Sequence, residues 1–479
     1  MAYKVGSRVQ MTFFPPVIDD YVTDEDPVRV YDAFVNVLDF QELGIPIEPY
    51  KAGAHEYHPK EMLKLLIYGY SYGTRSARKL EMACYHNLSF IWLVGNLKPD
   101  YRTIARFRSN YKEAIKKVLK QTVKLCIELG LIEGNTLFID GSNFRANASI
   151  DNTWTKERCE KYLEKIAKNI DRLVDEAEGI DLQEEGQGSL VKLKKEILEQ
   201  KKIETKIKEI ADTLKKSPKA SINATDPECV KAKGRQGVHA SYKAEVAVDE
   251  KHGLIVHSEA VSQNNDLNQL HTQVNHASEV IGHNPEVVCS DSGYFSLKDL
   301  KEIPQDITIV IPSQRQAQEE KEVHPIRPFS KEEFKYDSKE DEYVCPEGKR
   351  LKYCGAAFSN PRKRSYKAEG RDCRACSHFG VCTASKDGRK VIRMVEEELK
   401  NRLEDVYQSP QGREIYKLRK QKAELPFGHI KRNLGAGQFL VRGKAGVNAE
   451  LSILSTCFNV VRMMTLIGIP LLILKLSGI

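Results

Sequence analysis

The sequence lacks the features that mark a secreted or membrane-spanning protein. Its N-terminal stretch, "MAYKVGSRVQMTFFPP", has no apolar segment leading to a small-residue cleavage site. No run of about 18 or more apolar residues occurs, so no membrane partner is expected. The most apolar piece, "TLIGIPLLILKLSGI", is short and contains Pro470, which favours a buried core helix. We therefore expect a cytoplasmic protein.

Neither sign of charge dominates the chain. The formal net charge is +7, from 74 Lys and Arg against 67 Asp and Glu, and this excess permits a nucleic-acid partner without requiring one. No repeat of fixed period is found, and 479 residues suffice for two to four domains. In a cytosolic protein, 11 cysteines indicate thiols or metal ligands rather than disulfides.

Composition divides the chain into four regions. Residues 1–130 have helical apolar spacing with Arg and Lys between, which suits a DNA-binding helical domain or a plain bundle with solvated basic faces. Residues 131–313 alternate short apolar strands with helices and predict an α/β sheet of mixed direction. A Lys- and Glu-rich helical hairpin over 152–218 interrupts this sheet, as a DNA clamp, a dimerisation element or a mere connector. Residues 314–400 form a cysteine-bearing insertion, and 401–479 are helical.

Two apolar strands are each predicted to end on an aspartate. They are "TLFIDGSNFRANAS", with Asp140, and "EVVCSDSGYFS", with Asp291. Carboxylates that meet at a sheet edge repel one another, and two Mg²⁺ (or Mn²⁺) ions about 3.5–4 Å apart relieve this repulsion and serve phosphoryl transfer. Two small residues, Gly141 and Ser142, follow Asp140 and are expected to leave room for metal and phosphate. Asn143 and Arg145 are expected to make further contacts there or with DNA.

A third acid is expected from a helix beside the sheet, and Glu424 in "YKLRKQKAELPFGHIKR" is the best candidate. Each acid taken alone also fits an ordinary role. A strand-terminal aspartate often caps a turn, and a glutamate on a basic helix often forms a surface ion pair. The ordered set of three favours the metal site.

With these motifs the chain resembles bacterial insertion-sequence transposases of the DDE class, which have a ribonuclease H-like core. "FIDGSNFRANAS", "VVCSDSGYFS" and "YKLRKQKAELPFGHIKR" resemble the three catalytic segments, and "TRSARKLEMA" and "KPDYRTIARFR" resemble the N-terminal helical domain. The resemblance implies that Asp140, Asp291 and Glu424 form a catalytic, metal-binding triad. It also implies DNA contacts by Tyr416, Arg419, Lys420, Lys431, Arg102, Arg106 and Arg108. Arg419 has the family's residue type and Lys420 has its spacing, so both remain candidates.

The resemblance further implies a reaction and its partners. Water would cleave DNA at the terminal inverted repeats of a mobile element, and the freed 3′-hydroxyl would attack target DNA. Two DNA ends must be held at once, so a homodimer is expected, associated with the nucleoid of a bacterial cytoplasm. Two alternatives stay open: a ribonuclease H-like nuclease that does not join strands, and a non-catalytic DNA-binding protein derived from a transposase.

Four cysteines have a spacing that could close a tetrahedral Zn²⁺ site. Cys373, Cys376 and Cys382 form C-x2-C-x5-C, and Cys345 precedes them in "CPEG". The alternative is a set of reduced thiols in a small β-rich insertion, and Cys354 could replace one ligand. The remaining cysteines are expected to be small core residues: Cys84, Cys126, Cys159, Cys229, Cys289 and Cys457.

Overall fold

The computed structural model describes residues 17–47, 56–181, 187–216, 219–234, 237–320, 328–358 and 360–479, without the side chains of 177–191. The chain forms two compact units of discontinuous segments. The first unit comprises Met1–Asp266, Asn275–Asn284 and Gln421–Ile479, and the second comprises Leu267–Val274 and Pro285–Lys420. The domain boundaries that composition predicts remain a prediction, because this division into two units does not test them.

The N-terminal region of the first unit is helical, as the apolar spacing predicts. Several of its helices start on side-chain caps: Asp26 accepts from the Val28 N–H at 2.9 Å and Asp100 from the Thr103 N–H at 2.8 Å, which satisfies otherwise unpaired backbone donors. The helices are α1 Pro27–Asn36, α2 Phe40–Leu43, α3 Pro59–Ser71, α4 Ala77–His86, α5 Leu88–Leu93, α6 Tyr101–Asn110, α7 Lys112–Lys116 and α8 Val118–Glu128.

The strands of the first unit are antiparallel. They are β1 Thr136–Arg145, β2 Thr153–Thr155, β3 Ser221–Asn223, β4 Val230–Gly234, β5 Gly237–Asp249 and β6 Ile255–Val261. β5 pairs with β1 along one edge, and with β4 and β6 along the other. The prediction that the first strand ends on Asp140 is wrong: Asp140 pairs with Val246 in mid-strand, because β5 is long enough to pair through Arg145 and so bury Phe144.

The predicted helical hairpin is confirmed for the described residues. Its two helices are α9 Lys156–Asp181 and α10 Gln187–Lys216, and β2 pairs with β3 where the hairpin leaves the sheet. Residues 182–186, which connect the two helices in the sequence, lie outside the described residues. An apolar stripe joins the helices, made of Cys159, Ile166, Ile207 and Leu214, and Ile222 of β3 packs in the same cluster.

The C-terminal helices of the first unit are α17 Lys444–Ile467 and α18 Ile469–Ser477. α17 is long and apolar enough by composition to cross a membrane, but 67% of its most apolar window is buried inside the protein. It packs as a core helix, with Asn448 and Asn459 bonded to the backbone of β6 at 2.8 Å. The expectation of a buried tail helix holds for one face of α18 only, since Leu471 and Leu474 are exposed.

The second unit contains a parallel strand pair and a separate antiparallel sheet. Helix α11, Leu270–Ile281, begins in it. β7 Val287–Cys289 pairs in parallel with β8 Thr308–Val310. The sheet has the order β13-β12-β11-β10-β9, with β9 Lys335–Asp337, β10 Glu342–Val344, β11 Arg350–Ala357, β12 Asn360–Ala368 and β13 Lys390–Met394. The helices are α12 Leu297–Leu300, α13 Gln314–Glu319, α14 Gly370–Arg374, α15 Glu397–Gln408 and α16 Pro410–Gly428, which continues into the first unit.

The antiparallel and parallel strand pairs, together with helices α1 to α8, confirm the mixed α/β class and the helical N-terminal region. The core of the five-stranded sheet is apolar and aromatic, with Tyr343, Leu351, Tyr366 and Val391 all buried. Tyr366 and Tyr336 both donate to Asp341 at 2.7 Å, so their hydroxyls are satisfied inside this small layer.

Candidate active site

The first candidate acid lies on a face of β1 that also carries Ser142 and Phe144. Side chains alternate along a strand, so residues two apart share a face. Asp140 is half-buried, and its Oδ1 accepts from the Gly141 N–H at 2.9 Å. Phe144 is fully buried two residues beyond Ser142. Asp140 therefore lies on the same face of β1 as Phe144, which is buried near the end of the strand.

The opposite face of β1 is closed at Gly141. A Cβ atom there would lie 2.5 Å from Cε of Lys243 and 2.8 Å from each carboxylate oxygen of Glu245. Glu245 is fully buried, and Lys243 forms an ion pair with Asp266. The space beside Gly141 is thus filled by these side chains, and is not left for metal and phosphate as expected from the sequence.

The glutamate segment is a helix that changes pitch. Pro426 lies inside α16, and a π-helical turn, His429–Asn433, follows it. Proline has no N–H to donate within the helix, and π turns commonly occur at functional sites. Buried Ala423, Phe427 and Ile430 fix one side of this segment, while Glu424 is exposed.

Contacts at both ends of the glutamate segment hold it along β1. Lys431 Nζ donates to Ser142 Oγ at 2.6 Å and to the Asn143 carbonyl at 2.9 Å, and lies 4.5 Å from the ring centroid of Phe144. Lys422 donates to the Glu250 carbonyl, and the Glu250 N–H donates to the Thr136 carbonyl at 3.1 Å. The segment therefore runs from the start of β1 towards Ser142.

The packing joins the segment that carries Glu424 to the strand that carries Asp140. Glu424 precedes Lys431 by seven residues, with Pro426 and the start of the π-helical turn between them. Lys431 contacts Ser142, which follows Asp140 by two residues and shares its strand face, so the glutamate segment and the strand of Asp140 are joined within the first unit.

A buried ion pair supports the chain just after the glutamate segment. Arg75 Nη1 lies 2.9 Å from Glu450 Oε1, and Arg75 also donates to the carbonyls of Gly435 and Gln438. Burial raises the pKa of Glu450, which Arg75 opposes. The sequence interpretation did not assign these residues a role, although Arg75 lies in "TRSARKLEMA".

The N-terminal arginines that were predicted to bind DNA have different surroundings. Arg102 and Arg106 are exposed, and the Arg102 guanidinium lies 5.7 Å from the ring centroid of Tyr101. Arg108 is half-buried and donates to the Tyr70 hydroxyl at 2.9 Å. The contact of Arg108 stabilises the packing of the helices.

In the second unit, Asp291 follows β7 and caps a short 3-10 turn, Ser292–Tyr294. Its Oδ1 accepts from the Gly293 N–H at 2.8 Å, so the turn-forming role considered for a strand-terminal aspartate is present. Burial raises the pKa of Cys289 to about 12, with the Arg419 guanidinium opposing this and the Asp291 carboxylate adding to it. Asp291 and Arg419 therefore lie close enough to influence the same thiol.

Tyr416 belongs to the same neighbourhood. Burial raises the pKa of its hydroxyl, Arg419 opposes the rise and Asp291 adds to it. The Arg419 guanidinium lies 5.6 Å from the centroid of the Tyr416 ring. Lys420, the other candidate at this position, is exposed. The second unit thus brings Asp291, Tyr416 and Arg419 together, while Asp140, Glu424 and Lys431 belong to the first.

The four predicted zinc ligands line one pocket beside the five-stranded sheet: Cys345, Cys373, Cys376 and Cys382. Two of the sulfurs accept backbone N–H groups at 3.3 Å, Cys345 from Lys349 and Cys373 from Arg389. Cys354 is exposed and does not line this pocket. The cysteines expected in the core are all buried.

A cluster of His257, Glu259 and His276 was not predicted as a group. In the part of the chain that is described, these three offer ligand atoms all within 4.8 Å of one another, whereas the four sulfurs are spaced more widely. Glu259 forms an ion pair with Lys444 at 3.2 Å. Burial lowers the pKa of His257 to about 4, and His276 adds to this, so His257 stays neutral near pH 7.

Comparison with known families locates two matches on the chain. Residues 16–110 match the family described as a transposase domain (DUF772), and residues 344–464 match the family described as a transposase DDE domain. No significant match is found among curated proteins or among solved structures. The chain is an insertion-sequence transposase of the DDE class, an enzyme that acts on DNA.

The matched ranges contain some of the candidate site residues. Glu424, Lys431 and the four cysteines lie in the DDE match, and Arg102, Arg106 and Arg108 lie in the N-terminal match. Asp140 and Asp291 lie outside both ranges. Membership of the DDE class implies dependence on a divalent metal.

Proposed function

We propose that the protein cuts DNA at the ends of its element and joins the freed 3′ end to target DNA, with Asp140, Asp291 and Glu424 as a catalytic triad in a ribonuclease H-like core. One observation supports the proposal: Lys431 ties the glutamate segment to Ser142, two residues beyond Asp140 on the same strand. An isolated cap or surface ion pair would not need this arrangement.

The three acids would hold two Mg²⁺ (or Mn²⁺) ions, since carboxylate oxygens are ligands that Mg²⁺ prefers. When bound, the ions would activate the attacking oxygen and stabilise the leaving oxygen of the scissile phosphate. The half-buried Asp140 and the exposed Glu424 are accessible enough to take such ligands.

The chain's cations would position the DNA. Lys431, held on Ser142 and Asn143, would offer its ammonium group to a phosphate. Arg419 is favoured over Lys420 as the second phosphate contact, because Arg419 lies beside Tyr416 and near Asp291. Arg102 and Arg106 remain the proposed contacts of the N-terminal helices, whereas Arg108 is engaged with Tyr70.

The four-cysteine pocket would bind one structural Zn²⁺. The donor set suits zinc, and the N–H groups directed at Cys345 and Cys373 are of the kind that stabilise bound thiolates. Binding would require the sulfurs to draw together to about 3.8 Å, as Zn–S bonds of about 2.3 Å in a tetrahedron imply.

The active form would be a homodimer on two element ends, in the cytoplasm and at the nucleoid. A strand-transfer assay tests the proposal. Purified protein is incubated with Mg²⁺, a duplex carrying one element end, and a circular target. We expect joined products as well as cut ends. Cutting without joined product would favour a nuclease, and binding without cutting would favour a non-catalytic DNA-binding protein.

A further inference from the structure

One face of the five-stranded sheet carries a row of lysines. Lys352 on β11 pairs directly with Lys367 on β12, and Lys367 pairs directly with Lys390 on β13. Directly paired residues point to the same face of a sheet. The opposite face holds the aromatic core, with Leu351, Tyr366 and Val391, so the lysine row is on the outer face.

The lysine row continues into a groove lined by cations. Lys352 and Lys367 line this groove together with Lys349, Arg350, Arg371, Arg374 and Lys386. Its acidic members are Glu369, Asp372 and Asp387, so seven cationic side chains face three carboxylates. We call the surface made by the groove and the lysine row the basic groove.

The charges in the basic groove are only partly neutralised within the protein. Arg350 forms an ion pair with Glu342 and Arg371 with Glu369. Within the described ranges, Lys352, Lys367 and Lys390 have no ion pair. Like charges directly opposite in a sheet lower its stability, so this row costs stability unless an anion covers it.

The geometry and charge suit a polyanion with regular spacing. Neighbouring strands lie about 4.8 Å apart, so three lysines on three strands extend over about 10 Å. Duplex DNA carries one negative charge per about 1.7 Å of its axis, and a row of this length can reach several phosphates. The groove is lined mainly by charged side chains, which favours contact with the backbone over base-specific contact.

We propose that the basic groove binds the sugar-phosphate backbone of duplex DNA, independently of sequence. This rests on the assignment of the chain as a DNA transposase. It gives the cysteine-bearing sheet a function apart from chemistry: it holds a flank of bound DNA while the triad acts elsewhere on it. An acidic protein segment is the other occupant that this charge would admit, and the test separates it from DNA.

The test compares K352Q/K367Q with wild-type protein. Binding is measured by fluorescence anisotropy on an element-end duplex and on a scrambled duplex of equal length. We expect about 10-fold weaker binding to both, and a slope of log K against log salt that is smaller by about 2. The melting temperature should be unchanged or higher, because the paired lysines repel.

K301Q/K339Q is the matched control, since both lysines are exposed and lie in the second unit outside the basic groove. Binding by K352Q/K367Q equal to that of this control would overturn the proposal and leave an acidic protein as the occupant to seek. Weaker binding together with a lower melting temperature would also overturn it, because the lysines would then be structural. Failure of wild-type protein to cut DNA would refute the proposed function without altering this binding comparison.

Discussion

The ammonium group of Lys431 lies 2.6 Å from the hydroxyl oxygen of Ser142 and 2.9 Å from the carbonyl oxygen of Asn143. These contacts join the glutamate segment to the strand of the first aspartate. Lys431 is therefore a partly buried cation on the strand that carries Asp140. Its position is thus set by the fold before DNA binds.

Removing this contact should slow cleavage more than it weakens DNA binding. We expect K431M to reduce the cleavage rate by about 100-fold, since a positioned charge next to the phosphate contributes about 3 kcal/mol. S142A should cost about 10-fold or less, because the Asn143 carbonyl still holds the lysine. The measurement is a single-turnover rate for both variants and for the double variant.

In the double variant the two effects should not add. A rate for K431M/S142A close to that of K431M alone would show that Ser142 acts through Lys431. Full additivity of the two losses would instead show that the residues act separately and would remove the link between the glutamate segment and the strand of Asp140.

Gly141 is expected to be a stability determinant. In G141A, the new methyl group would approach Cε of Lys243 and the carboxylate of Glu245 within 2.8 Å or less. Both neighbours are buried, so relief requires repacking, and we expect a loss of about 1–3 kcal/mol in the free energy of unfolding. Denaturant titration measures it.

G428A is the control for this substitution. A Cβ at Gly428 meets nothing within 4 Å, and the helical site should accept alanine with unchanged or higher stability. If G141A were as stable as wild-type protein, the account of a closed face beneath Asp140 would be wrong.

Much of the architecture follows from local sequence patterns. Helices with apolar residues at regular steps and cap residues such as Asp26 and Asp100 are visible in the sequence, and so is the hairpin of β5 and β6. The full length of β1 is not visible, because "GSNFR" contains no continuous apolar run. Only the pairing partner, β5, shows that the strand continues past Asp140.

The candidate site shows the same limit. The types and order of Asp140, Asp291 and Glu424 are evident in the sequence, but their supports are not. Arg75 and Glu450 are 375 residues apart, and no local pattern relates them. The His257, Glu259 and His276 cluster is likewise formed by packing of α11 on β6.

Stability should depend on pH through His257. Burial lowers its pKa to about 4, while an unfolded histidine titrates near pH 6.5. Between these values the unfolded chain binds a proton that the folded protein does not. The free energy of unfolding should therefore increase by up to about 3 kcal/mol between about pH 4 and about pH 6.5. It should decrease by the same amount as the pH falls through this range.

H257Q should reduce the increase in the free energy of unfolding between these pH values, and urea unfolding at several pH values measures this increase. H86Q is the control, since His86 is exposed. A pH profile of H257Q that matches those of H86Q and wild-type protein would show that His257 is not the titrating group.

Zinc removal should destabilise the five-stranded sheet selectively. We expect C373S/C376S to lose about one equivalent of zinc, because two of four ligands are gone. Hydrogen exchange over residues 335–394 should accelerate, while exchange in β1 and β5 stays unchanged. C354S, whose cysteine is exposed, should keep its zinc. Wild-type protein with much less than one equivalent of zinc would refute the site.

The most direct test of the account is cleavage by D140A, D291A and E424A, measured beside DNA binding on an element-end duplex with Mg²⁺. We predict that each variant cuts at less than about one-thousandth of the wild-type rate, since losing one ligand of a metal clamp removes several kcal/mol of transition-state stabilisation, and that each still binds the duplex. E414A, which replaces an exposed glutamate of the same helix, should cut normally. Cleavage at the wild-type rate by any one of the three variants would remove that residue from the triad and contradict the central claim.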